Sequence, residues 1–193
     1  MNESENLLEL IQAQLDQFCD QQRKDFEVIS TDLVPLVDYS KALLSGGKRF
    51  RALFTYWSWV GALAVSEPRQ SQEQLAASSE AMIGITAALE MFHAAALVHD
   101  DLLDQSDTRR GAPAVHKRFE SLHESSVWAG SAQRFGMAGS VLVGDLLLSW
   151  SSEIFGRALQ GAATRQIELA CRDEFSKMRT EVMAGEYLDV PEE

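Results

Sequence analysis

The segment ALVHDDLLDQSDTRRG, residues 96–111, gathers carboxylates and guanidinium groups at the end of an apolar run. The charged side chains whose spacing suggests a binding site are Asp100, Asp101, Asp104, Arg109 and Arg110. In a helix, residues four apart face the same way, so Asp100 and Asp104 project together and Asp101 lies one step round. Carboxylates at the C-terminal end of a helix repel each other and oppose its macrodipole, each effect costing from a few tenths to about 1 kcal/mol. Bound cations would reverse both effects, so the segment predicts a site for a diphosphate with its metal ions.

The donor set indicates which metal to expect. Three carboxylates offer only oxygen ligands, which suits Mg²⁺, an ion that keeps several waters and is completed by substrate phosphates. Zinc fits poorly, because His93 and His99 are six positions apart, about 240° round a helix, and cannot share one ion. The alternative is a solvated acidic helix end, since acidic triplets are common on protein surfaces. For His99 the alternative is a histidine whose hydrogen bonds are satisfied within the protein.

A second charged cluster, SGGKRFRA, covers residues 45–52. Its two glycines let the backbone turn and approach a ligand closely. Lys48, Arg49 and Arg51 begin the next predicted helix, where backbone N–H groups favour an anion. The glycine spacing and the preceding strand of a P-loop are both missing. The cluster predicts a phosphate pocket that needs no metal, and the alternative is an ordinary helix start with solvated basic side chains.

Composition narrows the class of protein. The chain has 193 residues, of which 46% are hydrophobic, enough for one domain or a piece of a larger one. A formal net charge of −12 argues against nucleic acid as a partner. Cys19 and Cys171 belong to no disulfide or metal-binding pattern, the N-terminus is acidic, and no apolar run reaches about 18 residues. We therefore expect a cytoplasmic protein without a transmembrane segment.

Helical periodicity runs through nearly the whole sequence. Apolar residues recur at steps of three and four, as in the stripe formed by Leu7, Ile11 and Leu15. Ser71 and Gln74 form a capping box before a long segment rich in Ala, Leu and Met. An irregular stretch that contains HESSVWAGS precedes the last two helices. We find no convincing strand, so the predicted class is all-α. Helices are expected over residues 4–28, 36–44, 48–65, 71–104, 134–159 and 162–186.

Four segments occur in a defined order along residues 46–155: GGKRFR, EMFHAAALVHDDLLD, DTRRGAPAVH and VLVGDLLLSWSSEIF. In order and approximate spacing they resemble the motifs of the trans-isoprenyl diphosphate synthases, or polyprenyl synthetases, and most of all those of bacterial geranylgeranyl diphosphate synthases. The resemblance implies antiparallel helices around a central cavity, dependence on Mg²⁺, a homodimer, and condensation of isopentenyl diphosphate with an allylic diphosphate. The DDxxD pattern alone would be weak, because terpene cyclases share it.

The resemblance also implies roles for individual residues. Asp100, Asp101 and Asp104 would hold Mg²⁺ on the allylic diphosphate, and Arg109 would contact the same group. The residues that would bind isopentenyl diphosphate are Lys48, Arg51, His93 and Arg110.

Product length is implied by the residues before the first aspartate. In the family, bulky side chains four or five positions before it close the cavity and give short products; here those positions hold Ala96 and Ala95. Phe92, about one turn further down the helix, is the candidate stop, and this implies a geranylgeranyl product, with longer chains as the alternative. The alternative is that the alanines simply let two helices pack closely.

The chain departs from the family pattern towards its C-terminus. Glu186 stands where the family has glutamine, and a Lys/Thr segment and the second aspartate-rich motif are missing. We therefore expect one all-α domain over residues 1–193 that is the N-terminal portion of a synthase, inactive alone, with a separate C-terminal fragment as one option. The other hypotheses are a terpene cyclase, a non-catalytic regulatory subunit and a plain helical interaction domain. GGKRFR with Arg110 speaks against the cyclase, and the three retained aspartates speak against the regulatory subunit.

Overall fold

Helices account for nearly all of the described chain, which confirms the all-α class. The computed structural model describes residues 3–66, 72–160 and 164–190. Its helices are α1 Glu3–Ile29, α2 Val34–Leu43, α3 Phe50–Ser66, α4 Gln72–Leu103, α5 Val115–Ser125, α6 Ala132–Leu159 and α7 Arg165–Asp189. Ser71, the first residue of the predicted capping box, lies outside the described residues.

The first helix, α1, shows how the apolar spacing works. Its buried side chains recur at steps of three and four and are Leu7, Ile11, Leu15, Phe18 and Cys19. This stripe removes one face of the helix from water, which is the main source of helix stability in a folded protein. On the polar side, Lys41 of α2 lies 2.5 Å from a carboxylate oxygen of Asp20, and Arg23 pairs with Asp38. Because these ion pairs are largely exposed, they contribute little, and apolar burial is the main contribution to the packing of α2 against α1.

The described residues form two compact units. The first unit comprises those of Met1–Ala95 and Leu142–Ala162, and the second unit comprises those of Ala96–Val141 and Ala163–Glu193. The division falls inside α4, after Ala95, and inside α6, before Leu142.

The first unit is held together by close contacts between α1, α4 and α6. Trp150 of α6 packs edge-on against Phe18 and Phe26 of α1, with ring centroids 5.9 and 6.0 Å apart. The buried hydroxyl of Ser151 donates a hydrogen bond of 2.7 Å to the carbonyl oxygen of Ala88 in α4. The Ala- and Met-rich segment is therefore a core helix in this unit, as its composition predicts.

The second unit contains a small aromatic core between α5 and the start of α6. The rings of Phe119 and Phe135 lie 5.9 Å apart, and Trp128 lies 5.2 Å from Phe135. Gly139 lies directly against Phe119, since a Cβ atom added at Gly139 would come within 2.6 Å of that ring. The absence of a side chain at Gly139 thus allows α6 to approach α5 closely.

The helix α5 was not among the predicted helices, and it covers the beginning of the stretch that the sequence indicates to be irregular. Its buried face consists of Val115, His116, Phe119 and His123. Two of these four positions are histidines, so the face does not show the apolar repeat on which a helix prediction depends.

A short β-hairpin also contradicts the expectation of no strand. Strand β1, Thr108–Arg109, pairs antiparallel with β2, Ala112–Pro113, and Arg109 lies opposite Ala112. Strands of two residues are too short to show the alternation of polar and apolar side chains that identifies a strand in a sequence.

The helix α4 contains one span, Ala76–Leu103, that is long and apolar enough to cross a membrane by length and composition. Half of its most apolar window is buried against the rest of the protein. Core helices of soluble proteins pass the same test, so the span is weak evidence for a membrane segment.

Candidate functional site

Arg109 joins two of the predicted acidic residues in the second unit. Its Nε lies 2.8 Å from Oδ1 of Asp101, and its Nη2 lies 2.5 Å from Oδ2 of Asp100. An arginine presents its donors in a planar fork that suits paired oxygens of carboxylates or phosphates. Arg109 is therefore in direct contact with carboxylates that lie eight and nine residues before it in the sequence.

The three aspartates differ in their exposure to solvent. The side chain of Asp101 is 1% exposed and that of Asp100 is 29% exposed, whereas Asp104 is exposed at the end of α4. Oδ2 of Asp101 is buried and has no hydrogen-bond partner in the described part of the chain. A buried carboxylate oxygen is costly without a partner. Asp101 therefore keeps an oxygen that is free to accept a ligand.

The hairpin explains why Arg109 and Arg110, which are adjacent in the sequence, differ in their contacts and in their exposure. Arg110 and Gly111 occupy its two-residue turn with φ of +53° and +78°, which is the backbone pattern of a type I′ turn. Arg109 precedes the turn on β1 and reaches back to the aspartates. Arg110 is exposed at the tip, and no described carboxylate lies within ion-pair distance of it.

Further contacts fix the loop between α4 and the hairpin. The backbone N–H of Ser106 donates to the carbonyl oxygen of Asp101, and that of Ala114 donates to the carbonyl oxygen of Asp107, each at 2.9 Å. The carboxylate of Asp107 lies 3.3 Å from Nζ of Lys117 in α5. The position of Arg109 is thus set by hydrogen bonds on both sides of the hairpin.

The charges around Asp100 and Asp101 are those of several neighbouring carboxylates and one arginine, and they shift the pKa values of nearby groups. The hydrogen bond to Asp101 is the main cause of the raised pKa of Arg109, and the bond to Asp100 adds to it. Burial raises the pKa of Glu186 in α7, and the charges of Asp100, Asp189 and Asp104 raise it further. The sequence identifies Glu186 only as a departure from the family pattern, whereas the structure adds it to the acidic surroundings of Asp100 and Asp104.

A hard cation is compatible with this donor set. The available ligands are carboxylate oxygens, and one of them, Oδ2 of Asp101, lacks a partner. Among residues 3–66, 72–160 and 164–190, no three acidic, histidine or cysteine side chains are arranged closely enough to hold a metal ion. Arg109 occupies oxygens of Asp100 and Asp101, so a cation and this arginine would compete for the same atoms.

His99 has a partner of its own in the second unit. One ring nitrogen, Nε2, lies 3.4 Å from the carbonyl oxygen of Val141 in α6. This contact agrees with the alternative of a satisfied helix histidine.

The basic cluster of the first unit contains one buried and two exposed cations. Lys48 and Arg51 are exposed, and neither pairs with a carboxylate in the described ranges. Arg49 is only 7% exposed and has a φ of +46°, so its backbone is not helical. The prediction that the helix begins near Lys48 is therefore wrong by two residues, and α3 begins at Phe50.

The remaining predicted residues lie on α4. His93 is partly buried, Phe92 and Ala95 are 5% and 0% exposed, and Ala96 is partly exposed. Lys48, Arg51, His93, Phe92 and Ala95 belong to the first unit, and Ala96 and Arg110 belong to the second.

Comparison with known proteins identifies the family. Residues 35–193 match the sequence profile of the family described as polyprenyl synthetase. The chain is similar to the geranylgeranyl diphosphate synthase of Methanosarcina mazei, with 31% identity over 61% of this chain and 31% of that protein. It is also similar to the farnesyl diphosphate synthase of Haemophilus influenzae, with 31% identity over 76% of this chain and 40% of that protein. Other relatives are named nonaprenyl and geranylfarnesyl diphosphate synthases, so the similarity spans several product lengths.

A solved structure has the same fold. The geranylgeranyl pyrophosphate synthase of Corynebacterium glutamicum, complexed with isoprenyl diphosphate and magnesium, gives a TM-score of 0.82 at 31% identity, over 95% of this chain and 49% of that one. The chain therefore spans less than half the length of these three proteins. Because the family profile covers residues 35–193, the chain belongs to the polyprenyl synthetase family, the trans-isoprenyl diphosphate synthases.

Proposed function

We propose that this chain carries diphosphate-binding residues of a trans-prenyltransferase, which joins isopentenyl diphosphate to an allylic diphosphate. The observation that carries the proposal is the contact of Arg109 with Asp100 and Asp101. It brings together, in a member of the polyprenyl synthetase family, the two kinds of group that a metal-bound diphosphate requires.

In this proposal Asp100, Asp101 and Asp104 hold Mg²⁺. Their oxygens are the ligands that this ion prefers, and the unpartnered Oδ2 of Asp101 supports the assignment. When bound, Mg²⁺ stabilises the negative charge of the departing diphosphate. Arg109 then exchanges carboxylate oxygens for diphosphate oxygens, because its guanidinium fork suits both.

The second substrate needs a site without metal. We assign Lys48, Arg51, His93 and Arg110 to the diphosphate of isopentenyl diphosphate. The exposure of Lys48, Arg51 and Arg110 supports this assignment, because their charges are available to an anion. Separate sites for the two diphosphates would let the allylic group ionise while the second substrate stays intact.

The reaction follows from these roles. The allylic C–O bond breaks with its electron pair remaining on the diphosphate, the double bond of isopentenyl diphosphate forms the new C–C bond, and the resulting cation loses a proton. Hydrogen-bond donors such as Arg109 stabilise charge that develops on the leaving group. Apolar side chains exclude water that would quench the cation.

The finer proposal is a geranylgeranyl product. It rests on the small side chains of Ala95 and Ala96, with Phe92 as the stop. Relatives are named for both shorter and longer products, so the product length has to be measured.

We further propose a homodimer working in the cytoplasm. Neither Cys19 nor Cys171 is in a disulfide, which fits a reducing compartment.

The decisive experiment incubates the complete gene product, and separately the 193-residue chain, with Mg²⁺, isopentenyl diphosphate and farnesyl diphosphate. Chromatography then gives the product length. We expect a product of twenty carbons from the complete gene product, its loss in Asp100→Ala, and no product from the 193-residue chain. A folded complete gene product that elongates nothing would favour the regulatory subunit instead.

A further inference from the structure

Arg49 is a buried arginine in an otherwise exposed loop. Its side chain is 5% exposed, whereas Ser45, Gly46, Gly47 and Lys48 are all exposed. Arginine is rarely buried unless its charge and its donors are satisfied. The surroundings of Arg49 must therefore supply acceptors.

Two hydrogen-bond acceptors and one carboxylate, from three parts of the first unit, lie around the guanidinium. Nη2 of Arg49 donates to the carbonyl oxygen of Leu44 at 2.5 Å and also to the side-chain oxygen of Gln12. Nη1 lies 3.9 Å from Oε2 of Glu90 in α4. Arg49 thus ties its loop to α1, to the residue after α2 and to α4.

The backbone of this loop depends on that anchor. Gly46 and Gly47 have φ of +74° and +90°, and Arg49 itself has φ of +46°. A non-glycine residue pays a steric penalty in this region, so it persists only where the surrounding structure over-determines it. The buried contacts of the Arg49 side chain supply this support and thereby fix the backbone between Lys48 and Arg51.

Glu90 connects the same anchor to the helix that carries His93. Its side chain is 11% exposed, and its Oε1 is buried without a hydrogen-bond partner among the described residues. Residues three apart on a helix are neighbours on one face, so Glu90 and His93 lie one turn apart on the same side of α4. A displacement of Glu90 or of Arg49 would therefore change the positions of both α4 and the loop that contains Arg49.

We propose that Arg49 and Glu90 are positioning residues for the metal-free diphosphate site, and that their ion pair fixes Lys48 and Arg51 relative to α4 and His93. The inference rests on the proposed function, because it concerns the residues assigned to isopentenyl diphosphate. Arg49 does not bind that diphosphate, since its donors are buried and engaged. Small displacements of groups that hold a substrate reduce rates by up to about a hundredfold, so a positioning pair has a measurable effect.

The test measures binding of isopentenyl diphosphate to the complete gene product by calorimetry without Mg²⁺, in wild type, Glu90→Gln and Arg49→Lys. Glu90→Gln keeps the size of the side chain and removes its charge, and Arg49→Lys keeps the charge and removes the fork. We expect each to weaken binding by about tenfold or more. Binding of an allylic diphosphate with Mg²⁺ should change less than twofold, because its assigned residues are others.

Two control variants separate positioning from loss of stability. Ile11→Val trims a fully buried side chain next to Gln12, and Asp38→Asn removes the partner of Arg23 in the same unit. Both leave Arg49 and Glu90 in place, so both should bind isopentenyl diphosphate as wild type does, even where thermal unfolding shows a lower melting temperature.

The outcomes distinguish the inference from the proposed function. If wild type fails to bind isopentenyl diphosphate, the proposed function is wrong. If wild type binds it and both variants bind within twofold of wild type, or if Ile11→Val loses as much affinity as Glu90→Gln, the positioning role is wrong and the proposed function stands. In the complete gene product, a higher KM for isopentenyl diphosphate with an unchanged KM for the allylic substrate supports positioning, because a general loss of stability would not separate the two.

Discussion

Nε of Arg109 lies 2.8 Å from Oδ1 of Asp101, a carboxylate that is almost completely buried. This contact places a positive charge against the acidic end of α4, where the helix macrodipole and the neighbouring carboxylates disfavour further negative charge. The protein without ligand thus compensates its own acidic cluster. A diphosphate with its cations would bring the same kinds of charge, and Arg109 would change partners rather than leave the site.

Arg109→Ala should lower the free energy of unfolding by about 2–3 kcal/mol, because it leaves the buried carboxylate of Asp101 without its cation. Added Mg²⁺ should restore part of this loss by binding the freed oxygens. Urea unfolding with and without Mg²⁺ measures both effects. The matched control is Arg110→Ala at the exposed tip of the hairpin, which should change stability by no more than about 0.5 kcal/mol. Equal effects at the two arginines would show that the contact with Asp101 contributes nothing.

Asp101→Asn and Asp104→Asn should change the stability of the metal-free protein in opposite directions. Asp101 is buried and holds Arg109, so its loss destabilises. Asp104 is exposed directly after the last residue of α4, and its backbone N–H donates to the carbonyl oxygen of Asp100. Removing its charge relieves repulsion and should stabilise by about 0.3–1 kcal/mol. Both variants should lose most of the thermal stabilisation that Mg²⁺ gives to wild type, and a variant that keeps it does not hold the metal.

Several parts of this fold could be predicted because their information is local. The stripe of Leu7, Ile11 and Leu15 identifies α1 directly, since all three are buried at helical spacing. The aspartates are also recognisable locally, because their spacing at the end of an apolar helix is unfavourable unless a cation binds. In such cases the residue types and the period of the helix indicate the feature, although the DDxxD pattern becomes specific only together with the other motifs.

Other features depend on contacts between distant residues and could not be predicted. Arg49 resembles Lys48 and Arg51 in the sequence, and only its contacts with Gln12 and Glu90 show that it is buried. The face of α5 that contains two histidines is likewise explained by packing rather than by an apolar repeat. The different environments of Arg109 and Arg110 follow from the register of the hairpin, which two-residue strands do not reveal.

Gly111→Ala should lower the free energy of unfolding by about 1 kcal/mol through backbone strain alone. Gly111 has φ of +78°, and an added Cβ atom would meet nothing within 4 Å, so no clash contributes. Gly61→Ala is the matched control, because Gly61 is helical in α3 with equally open surroundings, and there alanine should stabilise by about 0.5–1 kcal/mol. Thermal unfolding of both variants measures the difference. A neutral Gly111→Ala would mean that the turn does not require a positive φ.

Stability should fall at alkaline pH because of Cys19. Burial raises the pKa of its thiol from 9.0 to about 12. The neutral thiol is therefore favoured in the folded protein, and the stability that it contributes is complete below about pH 9 and is lost as the pH rises towards 12. Cys19→Ala should be less stable than wild type at neutral pH, and the difference should shrink between about pH 9 and 11. A difference that stays constant with pH would contradict the raised pKa.

Ala96→Phe should shorten the product of the complete enzyme, and Phe92→Ala should lengthen it. Ala96 is the better site for the larger side chain, because it is partly exposed whereas Ala95 is fully buried, where overpacking costs about 1–3 kcal/mol. Chromatography of the products from isopentenyl diphosphate and farnesyl diphosphate gives the chain length. Ala42→Phe, the same substitution at an exposed position of α2, should leave the product unchanged. If Ala96→Phe folds and still makes the wild-type product, the alanines serve helix packing and the limit on product length lies elsewhere.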